Sequence, residues 1–228
     1  MAKLPGYAFF PRALIALLRF FSCFRERVRA EGVLFCAKPR VFVGRHFNNY
    51  GPVAMYLHMP VNFRLWAFGA FMQSKSCYRH LREYTFTQRK RFPAPIAALF
   101  AFLLCGPTAA LLKGLRCIPV HRMSKRVLET IDCSVQALQN GENIMILVDK
   151  DYRNTQREVG ELYSGVAALA RRYFRATGEA LEFAPVILSR AEHRLRIGES
   201  LTLDIEKPFA EGKAALMRGL QAALSQSY

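Results

Sequence analysis

Val41-Phe-Val-Gly-Arg-His-Phe-Asn-Asn-Tyr-Gly-Pro52 decides the reading of this chain. The run Val41–Val43 is short, β-branched and aromatic, as a buried strand is. Polar and turn-forming residues follow at once, and Asn48-Asn49 ahead of Gly51-Pro52 favours a tight loop. A strand ending in a loop that carries His46 is therefore expected. A histidine in such a place serves as a base near neutral pH or is only structural.

Working outward, short apolar runs alternate with helical patterns. Strands are expected at Arg116–Val120, Ile144–Val148, Phe183–Leu188 and Leu201–Ile205, each rich in Val, Ile, Leu or Phe. Helices are expected at Lys125–Gln139, with Ser124 as cap and Asn140-Gly141 as stop, at Gly160–Tyr173, and at Gly212–Leu224. Strands alternating with helices imply an α/β fold: a single domain with a mostly parallel central sheet covered by helices. Thr155–Val159 is the expected loop.

The N-terminal segment reads differently. Arg12, Arg19 and Glu26 recur every seven residues and fall in one narrow helical stripe, while Leu14, Ile15, Leu17, Leu18, Phe20, Phe21 and Phe24 fill most of the rest. Residues 1–32 are expected to form an amphipathic membrane-interface segment and residues 33–228 the α/β domain. A helix packed on the domain core fits the same pattern, and both readings stay open. Phe92–Leu112 has no charge over 21 residues, long enough to span a bilayer. Pro93, Pro95 and Gly106-Pro107 are expected to break it into two short helices forming a buried hairpin or an interfacial patch.

The chain has 228 residues, is 52% hydrophobic and carries a formal charge of +16. That composition builds a core, and its charge calls for an anionic partner. Basic and apolar residues are interleaved, which points to a membrane surface. No recognition helix, zinc spacing or aromatic-basic sheet motif supports nucleic acid. The six cysteines include no Cys-x-x-Cys pair and sit in apolar stretches, so they read as reduced packing residues rather than metal ligands.

Four blocks, in order, resemble the glycerophospholipid acyltransferase superfamily, the group of 1-acylglycerol-3-phosphate acyltransferases. His46 with Asn48, Asn49, Tyr50 and Gly51 stands at the place of its His-x-x-x-x-Asp motif. Gly114-Leu-Arg-Cys-Ile-Pro-Val-His-Arg122 resembles the second block, Ile146-Leu-Val-Asp-Lys150 stands where the family has Phe-Pro-Glu-Gly, and Phe183-Ala-Pro-Val-Ile187 resembles the fourth. Tyr163-Ser-Gly165 and the alanines after it are similar to the family's small-residue helix.

The resemblance implies a membrane-associated acyltransferase, peripheral or monotopic on the cytoplasmic face. It would move an acyl chain from a CoA or acyl-carrier-protein thioester to a lysophospholipid-type acceptor, with no further cofactor and no metal. His46 would be the general base and Arg122 would hold the acceptor phosphate. Arg45, Asn48, Asn49, Gly51 and Lys150 would complete the acceptor side.

Two departures from the pattern matter. Gly51 occupies the position of the motif aspartate, and no other histidine has an acid five residues on. Asn48, Asn49 or Tyr50 could orient the imidazole, or a third-block carboxylate, Asp149 or Asp151, could reach it in space; Asp149 is the expected catalytic carboxylate. The alternative is a non-catalytic lipid- or acyl-chain-binding relative with a degenerate site.

Overall fold

The protein is described by a computed structural model covering residues 6–25, 29–32, 38–48, 50–121, 126–151, 159–189 and 194–226. The expected loop 155–158, the Ser124 cap, Asn49 and Arg122 lie outside these residues. By its own contacts the chain divides into two compact units. Among the described residues, one comprises those within 15–63 and 131–226, and the other those within 6–14 and 64–130.

In the first unit, β1 (Arg29–Gly32), β2 (Val41–Gly44), β5 (Asn143–Leu147), β6 (Glu182–Ser189), β7 (Arg194–Ile197) and β8 (Leu201–Thr202) form a mostly parallel sheet. β2 lies between β5 and β6 and is parallel to both, while β6 runs antiparallel to β7 and β8. Every described position of β2 and nearly every one of β5 and β6 is buried, which explains their unbroken apolar sequences. The helices are α2 (Tyr50–His58), most of α5 (Val127–Gln139), α6 (Gly165–Thr177) and α7 (Phe209–Leu224). α6 buries Val166, Leu169, Ala170 and Tyr173, a 3.6-residue face, and ends at Gly178 with φ of 73°. Leu216, Leu220 and Leu224 do the same for α7.

In the second unit, β3 (Phe63–Phe68) and β4 (Ile118–Val120) pair in parallel. Between them lie α3 (Ser74–His80), a nine-residue π-helix (Leu81–Arg89) and α4 (Ala94–Gly114). The π winding is visible in the backbone bond from Lys90 N–H to the Thr85 carbonyl, five residues back. α1 (Phe9–Arg25) starts in this unit. Its Ala8 N–H bonds the Gly114 carbonyl, and Pro11 packs so tightly on Gly114 that an added Cβ there would stand 2.6 Å from the ring.

The α/β, mostly parallel architecture expected from the sequence is the one observed. The expected break in Phe92–Leu112 is not. α4 is one continuous 21-residue helix. Pro93 caps it and Pro95 falls in its first turn, where the missing N–H has no partner to lose. Pro107 removes only the bond to the Leu103 carbonyl, and the helix runs on through it. Several boundaries also shift: α6 begins at Gly165 rather than Gly160, α7 at Phe209 rather than Gly212, β4 at Ile118 rather than Arg116, and the last expected strand stops at Thr202.

Candidate active site

The β2–β5 register builds the site. Val43 faces Ile146 and Gly44 faces Leu147, so two residues further along each strand His46 comes beside Asp149. Val148 N–H extends the pairing by bonding the Gly44 carbonyl at 3.1 Å. His46 Nδ1 lies 2.6 Å from Asp149 Oδ1. The His46 backbone N–H donates to both carboxylate oxygens, at 3.0 and 3.1 Å. The Asp149 side chain is 5% exposed and that of His46 23% exposed, so the acid is enclosed and the ring reaches solvent.

An ionised carboxylate only accepts, so with Asp149 ionised the short contact at Nδ1 is an Nδ1–H donation. In that tautomer of the neutral ring the lone pair sits on Nε2, where it can take a proton.

The loop after β2 explains Gly51. Phe47 and Asn48 have φ of 43° and 61°, a left-handed turn in which Asn is at ease and Phe is strained. The turn closes with Gly51 N–H donating to the His46 carbonyl at 2.7 Å. A Cβ on Gly51 would stand 2.1 Å from the Arg45 carbonyl oxygen and 2.5 Å from that of His46. Position 51 therefore has no room for any side chain, least of all an aspartate. The carboxylate comes from 103 residues away instead.

The remaining candidates take different places. Arg45 is 1% exposed, with its guanidinium carbon 4.4 Å from the Phe47 ring centroid. Burial pulls its pKa below the ordinary arginine value, and the charge of Asp149 opposes part of that shift. Asn48 is a half-buried turn residue. Lys150 is on the surface, paired with Glu161. Its backbone N–H also bonds the Glu161 carbonyl, and Tyr163 N–H bonds the Val148 carbonyl at 2.7 Å. Together with the Asp149–Leu162 bridge, these bonds clamp the end of β5 and hold Asp149 in line. Glu161, Leu162 and Tyr163 carry no sequence signal for that task. Asp151 is exposed. Among the described residues no cluster of three or more His, Cys, Asp or Glu is arranged to hold a metal.

The sequence matches no protein-family model and no curated protein. Among solved structures, the chain is similar to the 1-acyl-sn-glycerophosphate (LPA) acyltransferase PlsC from Thermotoga maritima. The TM-score is 0.50 at 10% sequence identity, over 93% of this chain and 80% of that one. Likeness at this identity is likeness of fold, and the fold is the one the four blocks anticipate.

Proposed function

We propose that the chain is an acyltransferase that works at a membrane surface. It moves an acyl chain from a CoA or acyl-carrier-protein thioester onto the hydroxyl of a lysophospholipid-type acceptor. The observation that carries this reading is the 2.6 Å contact between His46 Nδ1 and Asp149.

In this mechanism the acceptor hydroxyl attacks the thioester carbonyl carbon while His46 Nε2 takes its proton. The tetrahedral intermediate then collapses, the C–S bond breaks, and the sulfur leaves with the proton returned by Nε2–H. An ester and a free thiol result, and the imidazole ends neutral. Asp149 stabilises the imidazolium without itself becoming protonated. A base so placed contributes about 10²–10⁴-fold in rate. Arg45 is buried close enough to Asp149 for the carboxylate's charge to offset part of the downward shift that burial gives the guanidinium. Arg122 and Lys150 are proposed contacts for the acceptor phosphate, the latter after release from Glu161; Asn48 and Asn49 would complete the acceptor-side loop.

Acyl-CoA and acyl-carrier protein are cytoplasmic donors, which supports a reaction on the cytoplasmic face with the protein peripheral or monotopic. The non-catalytic alternative rested on the carboxylate missing at position 51, and the Asp149 contact removes that ground.

The test is acyl transfer by the purified protein with acyl-CoA, acyl-carrier protein and a panel of lysophospholipids. Wild type should turn over. His46→Ala and Asp149→Asn should fall by about 10³-fold or more with their folds intact. An Asp149→Asn protein as active as wild type would sink the dyad.

A further inference from the structure

α4 meets the length and composition of a membrane span: 21 residues with a mean hydropathy of 2.0 over its most apolar window. Its two faces are unlike. Ala97, Ala101 and Ala109, four or eight residues apart, are buried, with Cys105 on the same stripe. This small-residue side docks on α3 and the π-helix, where Ala101 forms a buried cluster with Cys77 and Leu81, and Phe71 and Phe86 pack against that cluster. The opposite arc, about 200° wide at 100° per residue, exposes Ile96, Leu99, Phe100, Phe102, Leu103 and Leu104. Phe102 is 70% exposed. An uninterrupted apolar face of this kind needs an apolar partner.

What packs behind α4 decides its orientation. α3, the π-helix and the turn into α4 carry Lys75, Arg79, Arg82, Arg89, Lys90 and Arg91 against the single acid Glu83. Helices so charged cannot accompany α4 through hydrocarbon. They can stay at headgroup depth while α4 sinks its outer face below them, and their charge fits anionic headgroups. At the far end of α4, Gly114 holds the start of α1, where Phe9 is 82% and Phe10 65% exposed. The apolar surface therefore continues past the helix.

We propose that α4 docks this protein in the plane of one leaflet of an anionic bilayer and does not cross it, with the π-helix and the turn after it supplying the headgroup contacts. The inference deepens the membrane part of the function above and uses none of the His46 chemistry.

The test uses the full chain and vesicles of phosphatidylcholine with or without phosphatidylglycerol. Wild type should co-float with the anionic vesicles and lose part of its binding in high salt. Leu99→Glu/Phe102→Glu, both on the exposed arc, should weaken partition by about 100-fold. Arg82→Gln/Lys90→Gln/Arg91→Gln should narrow the preference for anionic lipid by about tenfold or more. Undiminished binding by the apolar variant would overturn the proposal. So would a lipid-free dimer that the same variant splits, because the face would then belong to a second copy.

Orientation is read separately. Ile96→Trp and Leu103→Trp, each with Trp66→Phe, lie on one face about 10 Å apart along the axis. Equal quenching depth by brominated lipids supports the in-plane pose, and a depth difference near 10 Å overturns it. Turnover of water-soluble acyl donors and short-chain acceptors, followed alongside, is unaffected by these variants if the dyad reading holds. Failure of either reading is thus seen without the other.

Discussion

Restoring the missing aspartate should harm this protein. In Gly51→Asp, and already in Gly51→Ala, the new Cβ would fall 2.1 Å from the Arg45 carbonyl oxygen and 2.5 Å from the His46 carbonyl oxygen. Both are backbone atoms, so no rotamer relieves the clash. The loop must open by about 1 Å to restore van der Waals distance. That breaks the 2.7 Å bond from Gly51 N–H to His46, a loss of about 1 kcal/mol, and displaces packed backbone for about 1–3 kcal/mol more. The sum, about 2–4 kcal/mol, lowers Tm by about 5–15 °C for a chain of this size. The same 1 Å movement takes His46 off Asp149, and a misplacement of that size costs about 100-fold in rate. Circular dichroism melts and acyl-transfer rates on Gly51→Ala, Gly51→Asp and Gly51→Asp/Asp149→Asn check this. Near-wild-type turnover by the double variant would show that an aspartate at 51 can serve His46, and the steric argument would be wrong.

Two further predictions concern packing. Burial pushes the Cys77 thiol up from 9.0 to about 11, so it stays protonated in the folded state where an unfolded chain would already ionise. Its share of stability is complete below pH 9 and is lost as pH rises toward 11. Iodoacetamide at pH 8.5 should label exposed Cys133 and spare Cys77; mass spectrometry that finds Cys77 modified at a similar rate refutes the buried placement. Ala101→Leu should destabilise by about 1–3 kcal/mol because it overfills the cluster with Cys77 and Leu81. Leu99→Ala, on the open side of α4, should stay within about 0.5 kcal/mol. Denaturant titrations giving equal losses would refute the two-faced reading of the helix.

β2, β5 and β6 were legible in the sequence because strands buried on both faces write continuous apolar runs. β3 was not, because its outward positions include Trp66 and Phe68 and the alternation is hidden. β7 does alternate, with Leu195 and Ile197 inward between arginines, but four residues among charged neighbours make a faint signal. β1, Arg-Ala-Glu-Gly, owes its strand to its partner β7 and has no apolar pattern of its own. In α4 the prolines misled: two sit at its start and the third lies within an otherwise apolar helix. His46 was found as a candidate from its place after a strand. That Asp149 rather than Asp151 meets it depends on strand register, which no local pattern states.

That register has a consequence for when the protein can become active. In a His-x-x-x-x-Asp arrangement acid and base share one short loop and can meet as soon as that loop closes. Here they meet only after β2 and β5 have docked across 103 residues of chain, a late and slow kind of contact. Partly folded chains, including one still emerging from the ribosome before residue 149, hold a histidine with no carboxylate beside it. Premature reaction with a reactive thioester is thereby discouraged, and recovery of turnover during refolding should trail the formation of helices and coincide with completion of the sheet.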